Sequence, residues 1–258
     1  MEKNLQDLIE QVPYKVKLVV KDCAEPNQFL FTKDIDDVFS SASLIKVPIL
    51  VAVLEFLENK NESIHQIVKI AEENRVDFSV LSELEVSEAS LYELLVWMII
   101  TSDNTATNVL IDFWGMENLN HYFKKIGLKN TTIQRKMMDF EQLEKGFDNL
   151  TTAREMAFLF EAIYRQDLLS KKSSELASDI LSRQRIQDSL KRYIADDVKV
   201  AHKTGSLETV EHDIGIFFSK KRPYIIGVFV TDHTNTEEAK SFIGKLSKIV
   251  YDHFSKEA

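Results

Sequence analysis

The chain has 258 residues, 44% of them hydrophobic, and its 32 Lys and Arg against 41 Asp and Glu leave a formal net charge of −9. That length and apolar content support one large domain or two interleaved subdomains, and the acidic balance argues against general binding to nucleic acid or anionic membranes. The one cysteine, Cys23, excludes an internal disulfide; it reads as a small hydrophobe near a strand end or as a reactive thiol, and no cysteine-enzyme motif surrounds it.

The first residues, Met1-Glu2-Lys3-Asn4-Leu5-Gln6, lack the apolar run of a secretory signal. No stretch approaches the roughly 18 uncharged apolar residues of a membrane span. The chain as written is therefore expected in the cytoplasm, or outside it if an export segment has been omitted. Leu5, Leu8, Ile9 and Val12 recur at helical spacing until Pro13. Alternation around Val16, Leu18 and Val20 predicts a strand over 15–21, with a second over 29–31 and a turn at Pro26-Asn27 between them.

Ser43-Leu44-Ile45-Lys46 follows. On a helix this spacing places Ser43 and Lys46 on one face, a turn apart. Pro48 clashes in a helix interior but is tolerated near a start, so the helix through 47–56 should begin close to Ser43. A serine there meets the positive end of the helix dipole. It becomes a nucleophile when a base removes its proton. Lys46 serves as that base only when neutral, which requires burial or a neighbouring cation. Taken alone, the string is ordinarily a helix cap followed by a surface lysine.

Ser90 and Glu93 predict a capping box before Leu91, Leu94, Leu95, Met98 and Ile99. That helix runs toward Ser102-Asp103-Asn104, which by itself is a capping turn. In a catalytic reading Ser102 relays a proton to a leaving nitrogen, the Asn104 amide holds the acyl side, and Asp103 organises the turn. Further helices end near Gly115 and Gly127, and Thr152 with Glu155 predicts a second capping box before Met156, Leu159, Phe160 and Ile163.

The period then changes. Strands are expected over 198–202, 212–218 and 224–230, the last two joined by a hairpin turn at 220–223 whose Lys220-Lys221-Arg222 reads as a solvated charge run. Lys203-Thr204-Gly205-Ser206 is expected to follow the first of them. Gly205 lets a backbone approach closely, and Lys203, Thr204 and Ser206 together suit a carboxylate. A backbone N–H of this strand with that of Ser43 would make an oxyanion hole. Thr234 and Glu237 are expected to cap a last helix carrying Ala239, Phe242, Ile243, Leu246 and Val250.

Strands thus come from both ends of the chain and helices from its middle. Two terminal strands make no stable sheet alone, so an α+β architecture is expected. Residues 1–45 and 195–258 would form a lobe with one antiparallel sheet covered by terminal helices, residues 46–194 an all-α lobe, and a cleft would lie between. Three weak strings in this order, each on an element suited to its role, describe acyl transfer through a covalent acyl-enzyme.

With these strings the chain resembles the class A β-lactamases and the wider penicillin-recognising serine enzymes, over nearly its whole length. Phe39-Ser40-Ser41-Ala42 looks like the family's approach to its nucleophile, and Thr105-Ala106-Thr107-Asn108 like its continuation after Asn104. The resemblance implies an α/β lobe from both termini with a helical lobe between. It also implies Ser43 as acylated nucleophile, Lys46 as base, Ser102 as shuttle, Asn104 as substrate binder, and Lys203 with Thr204 as carboxylate site, beside Gly205 and Ser206. The expected substrate is a β-lactam or acyl-peptide, opened without metal or organic cofactor by a monomer. A D-alanyl peptidase or esterase, a sensor acylated once and held, and a scaffold that keeps only the fold stay open beside it.

The chain departs from the family on the loop before Thr152. Where the family has Arg-Trp-Glu-x-x-Leu-Asn, this sequence reads Arg135-Lys136-Met137-Met138-Asp139-Phe140-Glu141. Met137 stands where the water-activating glutamate belongs, and a thioether takes no proton from water. Asp139, Glu141 and Glu144 are the nearby carboxylates that would substitute in deacylation, unless they are exposed loop acids. The six histidines show no paired metal-ligand spacing; His202, His212 and His233 read as strand or core histidines, and the seven glycines form no phosphate-cradling cluster.

Overall fold

A computed structural model of the chain describes residues 1–25, 28–219 and 222–256. The turn expected at Pro26-Asn27 and the first two residues of the Lys220-Lys221-Arg222 run lie outside them. In chain order the elements are α1 (Glu2–Ile9), β1 (Lys15–Asp22), β2 (Phe29–Lys33), β3 (Phe39–Ser40), a 3₁₀ turn (Ala42–Ile45) and α2 (Lys46–Lys60). Then come β4 (Ile67–Lys69), α3 (Val80–Glu83), β5 (Glu88–Ser90), α4 (Leu91–Ile100), α5 (Asn104–Trp114), α6 (Met116–Lys125), α7 (Phe140–Glu144) and β6 (Leu150–Thr151). The chain closes with α8 (Ala153–Arg165), α9 (Lys171–Ser182), β7 (Val200–Leu207), β8 (Val210–Phe217), β9 (Tyr224–Thr231) and α10 (Thr236–Lys256).

The two ends of the chain meet in one five-stranded sheet, in the order β2-β1-β9-β8-β7, with antiparallel neighbours throughout. Successive side chains of a strand point to opposite faces, and both faces here are covered. Leu18, Val20, Tyr224, Ile226 and Val228 pack with Leu5 of α1 and Leu246, Val250 and Phe254 of α10. Val19, Ile214, Ile225 and Phe229 join the helices from the middle of the chain. Phe217, Tyr224 and Phe254 stack in a ladder with centroid spacings of 4.9 and 4.2 Å.

Two helices of the middle segment are largely enclosed and apolar over the faces they bury. In α2 every residue from Lys46 to Leu54 is buried, and in α4 Leu91, Leu94, Leu95, Met98, Ile99 and Ile100 are. Pro48 sits in the first turn of α2, where its missing N–H has no partner to lose. The Ser90–Glu93 capping box before α4 forms in both directions.

Three local readings need correction. Thr152 caps α8, but the Glu155 carboxylate does not reach back; it takes hydrogen bonds from Asn130 N at 2.9 Å and Thr131 Oγ1 at 2.6 Å, tying down a loop remote in sequence. The cap of α10 is Asn235, whose Oδ1 accepts from Glu237 N at 3.0 Å and Glu238 N at 3.2 Å, and not Thr234. Lys203-Thr204-Gly205-Ser206 lies inside β7 rather than after it, because pairing with β8 runs on through Ser206↔Glu211 and Leu207↔Val210.

Gly205 is where β7 touches the 3₁₀ turn. A Cβ there would lie 3.1 Å from Ser41 O and 3.3 Å from both Ala42 Cβ and Leu44 Cγ. Gly205→Val is expected to wedge strand and turn apart and to lower stability by about 1–3 kcal/mol in urea unfolding, with Gly205→Ala milder. An unchanged midpoint for the valine variant would show that this packing is slack.

Candidate active site

A cavity of about 600 Å³ opens between the sheet edge and the helices. It is lined by Ser43 from the 3₁₀ turn, Ser102 and Asn104 from the start of α5, Met137 and Met138 from the 135–148 loop, and Thr204 and Ser206 from β7. The turn bearing Ser43 is held on several sides. Ser41 N donates to Asn149 O at 2.7 Å, β3 pairs with β6, and His212 Nε2 lies 2.9 Å from Ser40 O.

Lys46 opens α2 and is wholly buried. Its Nζ has four oxygens around it: Ser43 Oγ at 3.1 Å, Ser102 Oγ at 3.0 Å, Ser102 O at 2.6 Å and Asn104 Oδ1 at 2.9 Å. The last two only accept hydrogen bonds. A neutral amine has two N–H groups and one lone pair, so those acceptors take both protons and leave the lone pair for a serine hydroxyl. Burial first, and then the charge of Lys203, hold Lys46 well below the usual lysine range, against the opposing pull of Asp103. A buried amine so lowered and so placed has the properties a general base requires.

Lys203, also wholly buried, donates to Ser102 Oγ at 3.0 Å and to Thr204 O at 2.7 Å. Burial lowers it to about 7, with Asp213 acting in the opposite sense. Ser102 Oγ thus stands 3.0 Å from both amines, and the four side chains from three distant segments converge. Asp103 organises this corner from outside the cavity: its carboxylate accepts from Ala106 N at 2.8 Å, Ser79 Oγ at 2.9 Å and Leu81 N at 3.1 Å. The Asn104 amide is engaged within the protein, its Nδ2 donating to Asp77 O at 3.3 Å. An amide nitrogen carries two N–H groups, so one can stay on Asp77 while the second serves an acyl group.

Four residues lining the cavity, Ala42, Phe78, Ser102 and Met138, hold positive φ angles of 44°, 54°, 60° and 65° without being glycine. Such conformations cost on the order of 1–3 kcal/mol each and gather where a surrounding fold enforces them for function. Nothing in their residue types announced this.

The 135–148 loop is pinned at its base and at Met137. Arg135 donates to Asp148 Oδ1 from Nε at 3.0 Å, with Nη2 at 2.9 Å, and Asn149 Oδ1 accepts from Gln134 N at 2.8 Å. Asn108, one turn along α5 from Asn104, clamps Met137 through N to Oδ1 at 2.7 Å and Nδ2 to O at 3.2 Å. Asn108 ends the string Thr105-Ala106-Thr107-Asn108, and its i, i+4 relation to Asn104 is the signal that places it on the same face.

The three carboxylates expected to assist deacylation do not line the cavity. Asp139 caps α7, accepting from Gln142 N at 3.1 Å, and Glu141 and Glu144 are exposed. The short helix α7, capped by Asp139, keeps Phe140 on the cavity wall, while Glu141 and Glu144 are not among the lining residues. The acids that do line it are Asp188, Glu208 and Glu211, none of which the sequence singled out. Cys23 is buried, and burial followed by the charge of Asp22 pushes its thiol up to about 12, which suits a packing residue. His202 is buried outright, with Nδ1 2.9 Å from Asp213 Oδ1. Among the described residues no helix is long and apolar enough to cross a membrane.

A family model described as "Beta-lactamase enzyme family" matches residues 1–254. Beta-lactamase AER-1 of Aeromonas hydrophila is 28% identical over 213 residues, 80% of this chain and 70% of that protein. A leucine-to-glutamate variant of PBP-A, solved as an acyl-enzyme complex with penicillin G, is 27% identical with a TM-score of 0.89, covering 98% of this chain and 96% of that one. The TLA-1 extended-spectrum beta-lactamase shares the fold at a TM-score of 0.91 and 23% identity, covering 99% of this chain and 98% of its own.

Proposed function

We propose, since this chain belongs to the beta-lactamase enzyme family, that it is a class A-type serine hydrolase in which Ser43 opens β-lactams and holds the resulting ester for an extended time. The observation that carries this reading is Lys46, a buried amine with two acceptors at Ser102 O and Asn104 Oδ1 and Ser43 Oγ 3.1 Å away.

As Ser43 Oγ adds to the lactam carbonyl carbon, its proton passes to Lys46 Nζ. The charge developing on the carbonyl oxygen meets backbone N–H groups of Ser43 and of β7. The C–N bond then breaks, and the nitrogen takes a proton through Ser102 Oγ, which lies within reach of both amines. Lys203, Thr204 and Ser206 receive the polar end of the substrate, and Asn104 its acyl side. Release of the ester needs a water and a base to deprotonate it. Met137 presents a thioether at the cavity wall, and Asp139, Glu141 and Glu144 stand off it. A missing general base slows such a step by about 100- to 10,000-fold. A long-lived ester would equally serve a sensor acylated once and held, and the same acylating residues would serve a D-alanyl peptidase or esterase; the place of Met137 is what keeps these readings in view.

The test is to mix the protein with a chromogenic β-lactam and follow colour and intact mass together. The expected result is one adduct per chain, mapped to Ser43 and absent in Ser43→Ala, with a colour burst followed by slow release. Absence of any adduct and of any Ser43-dependent colour would reject acylation, and rapid steady release would reject the long-lived ester.

A further inference from the structure

One acid of the cavity has no part in the chemistry above. Glu211 on β8 faces Ser206 on β7 as its cross-strand partner, and Ser206 Oγ donates to Glu211 Oε1 at 2.5 Å. Both line the cavity beside Thr204, where the polar end of the substrate would lie. We propose that Glu211, acting through Ser206, is a specificity-determining residue that sets the charge a substrate carries at this end. Ionised, it favours neutral or cationic acyl donors; protonated, it admits a carboxylate.

The argument is one of hydrogen-bond supply. A serine hydroxyl has one proton. While Glu211 is ionised that proton is spent on its carboxylate, so Ser206 shows the cavity only lone pairs, with a negative charge behind them. A substrate carboxylate is then repelled twice. When Glu211 is protonated it donates to Ser206 Oγ instead, and the Ser206 O–H is free to turn toward an anion. The groups around Glu211 make both states accessible. Glu208 lies on the β7–β8 turn, Asp213 on its own strand, and Asp188 on the segment before β7; Lys240 of α10 is the cation, and donates to Asp188 Oδ2 at 2.8 Å. The β9 partner of Glu211 is the apolar Val230. Burial, with Asp188 and Asp213, pushes the Glu211 carboxyl up to about 7 against the pull of Ser206 and Lys240.

This rests on acylation of Ser43. The experiment compares penicillin G with its methyl ester, which differ in the carboxylate alone, on the full chain between pH 5.5 and 8.5. Second-order acylation constants come from intact mass, and the readout is the acid-to-ester ratio. Loss of charge at Lys203 in the same pH range acts on parent and variant alike, so only the difference between proteins reports Glu211. Glu211→Gln, neutral at every pH, is expected to raise the ratio ~10-fold over the parent at pH 8.5, the equivalent of one pKa unit, and to leave it within about 2-fold at pH 5.5. Ser206→Ala, which removes the relay without touching the acid, is expected to weaken the pH dependence of the ratio. Coincident profiles for parent, Glu211→Gln and Ser206→Ala would overturn the specificity role while leaving acylation intact. No adduct from either compound on the parent would overturn both together.

Discussion

Met137→Glu is expected to turn a lingering acyl-enzyme into a hydrolysing one, raising the rate of ester release by about 100- to 10,000-fold, the range a positioned general base supplies. The position is already built to hold a side chain still. Met137 is only 6% exposed, and both its backbone polar groups are held by Asn108. The loop that carries it is closed by Arg135 and Asp148. Met137 lines the same cavity as Ser43, so a carboxylate grafted here is expected to reach it. A buried carboxylate is unfavourable unless paired, so some loss of stability is expected alongside the gain in release. Met137→Gln is the control, since it brings polarity and similar bulk but no base, and it should leave the ester as long-lived as in the parent. The measurement is decay of the adduct by intact mass after excess β-lactam is removed. Equal decay in parent, Gln and Glu variants, all folded, would show that absence of a base at 137 is not what delays release.

Lys46→Met is expected to slow acylation by about 1,000-fold or more, because Ser43 then loses the group that takes its proton. Methionine fills the same buried volume, so stability should survive better than activity; it does leave Ser102 O and Asn104 Oδ1 without their donor, which costs about 1–3 kcal/mol for each acceptor left dry. The pH dependence separates a base from a mere spacer. In the parent the neutral fraction of Lys46 rises with pH, and the positive charge of Lys203 moves that rise to lower pH. Lys203→Gln removes the repulsion, so Lys46 keeps its proton to higher pH and the rising limb of acylation should shift upward. Lys46→Met should lack that limb altogether. A Lys46→Met variant that acylates at the parent rate, or a Lys203→Gln limb that stays in place, would mean that the proton leaves Ser43 by another path.

How much of this could be read along the chain depends on the distance over which each interaction acts. The Ser90–Glu93 capping box, the ends of α5 and α6 before Gly115 and Gly127, and the alternation of the terminal strands are set by neighbours within a few residues, and they were legible. The edges failed where a tertiary partner outbid a local one. Glu155 turns to Asn130 and Thr131 rather than to its own cap, Asn235 takes over from Thr234, and the register of β8 draws Lys203 to Ser206 into the strand.

The site divides in the same way. The identity of its reacting groups was written in three short strings, because a nucleophile, a base one helical turn away and a lysine on a strand are properties of residue type and spacing. Their meeting was not, since Lys46 and Ser102 are 56 residues apart and Ser102 and Lys203 are 101 apart. It follows from packing, above all from a glycine narrow enough to bring β7 against the Ser43 turn. Packing also supplied what no string contains: the burial that makes an amine a base, the thioether in the cavity with its neighbouring acids capped or exposed, and Glu211 behind Ser206. Residue types carry chemistry from the start, whereas proton affinity and reach come from the surroundings that a folded chain assembles.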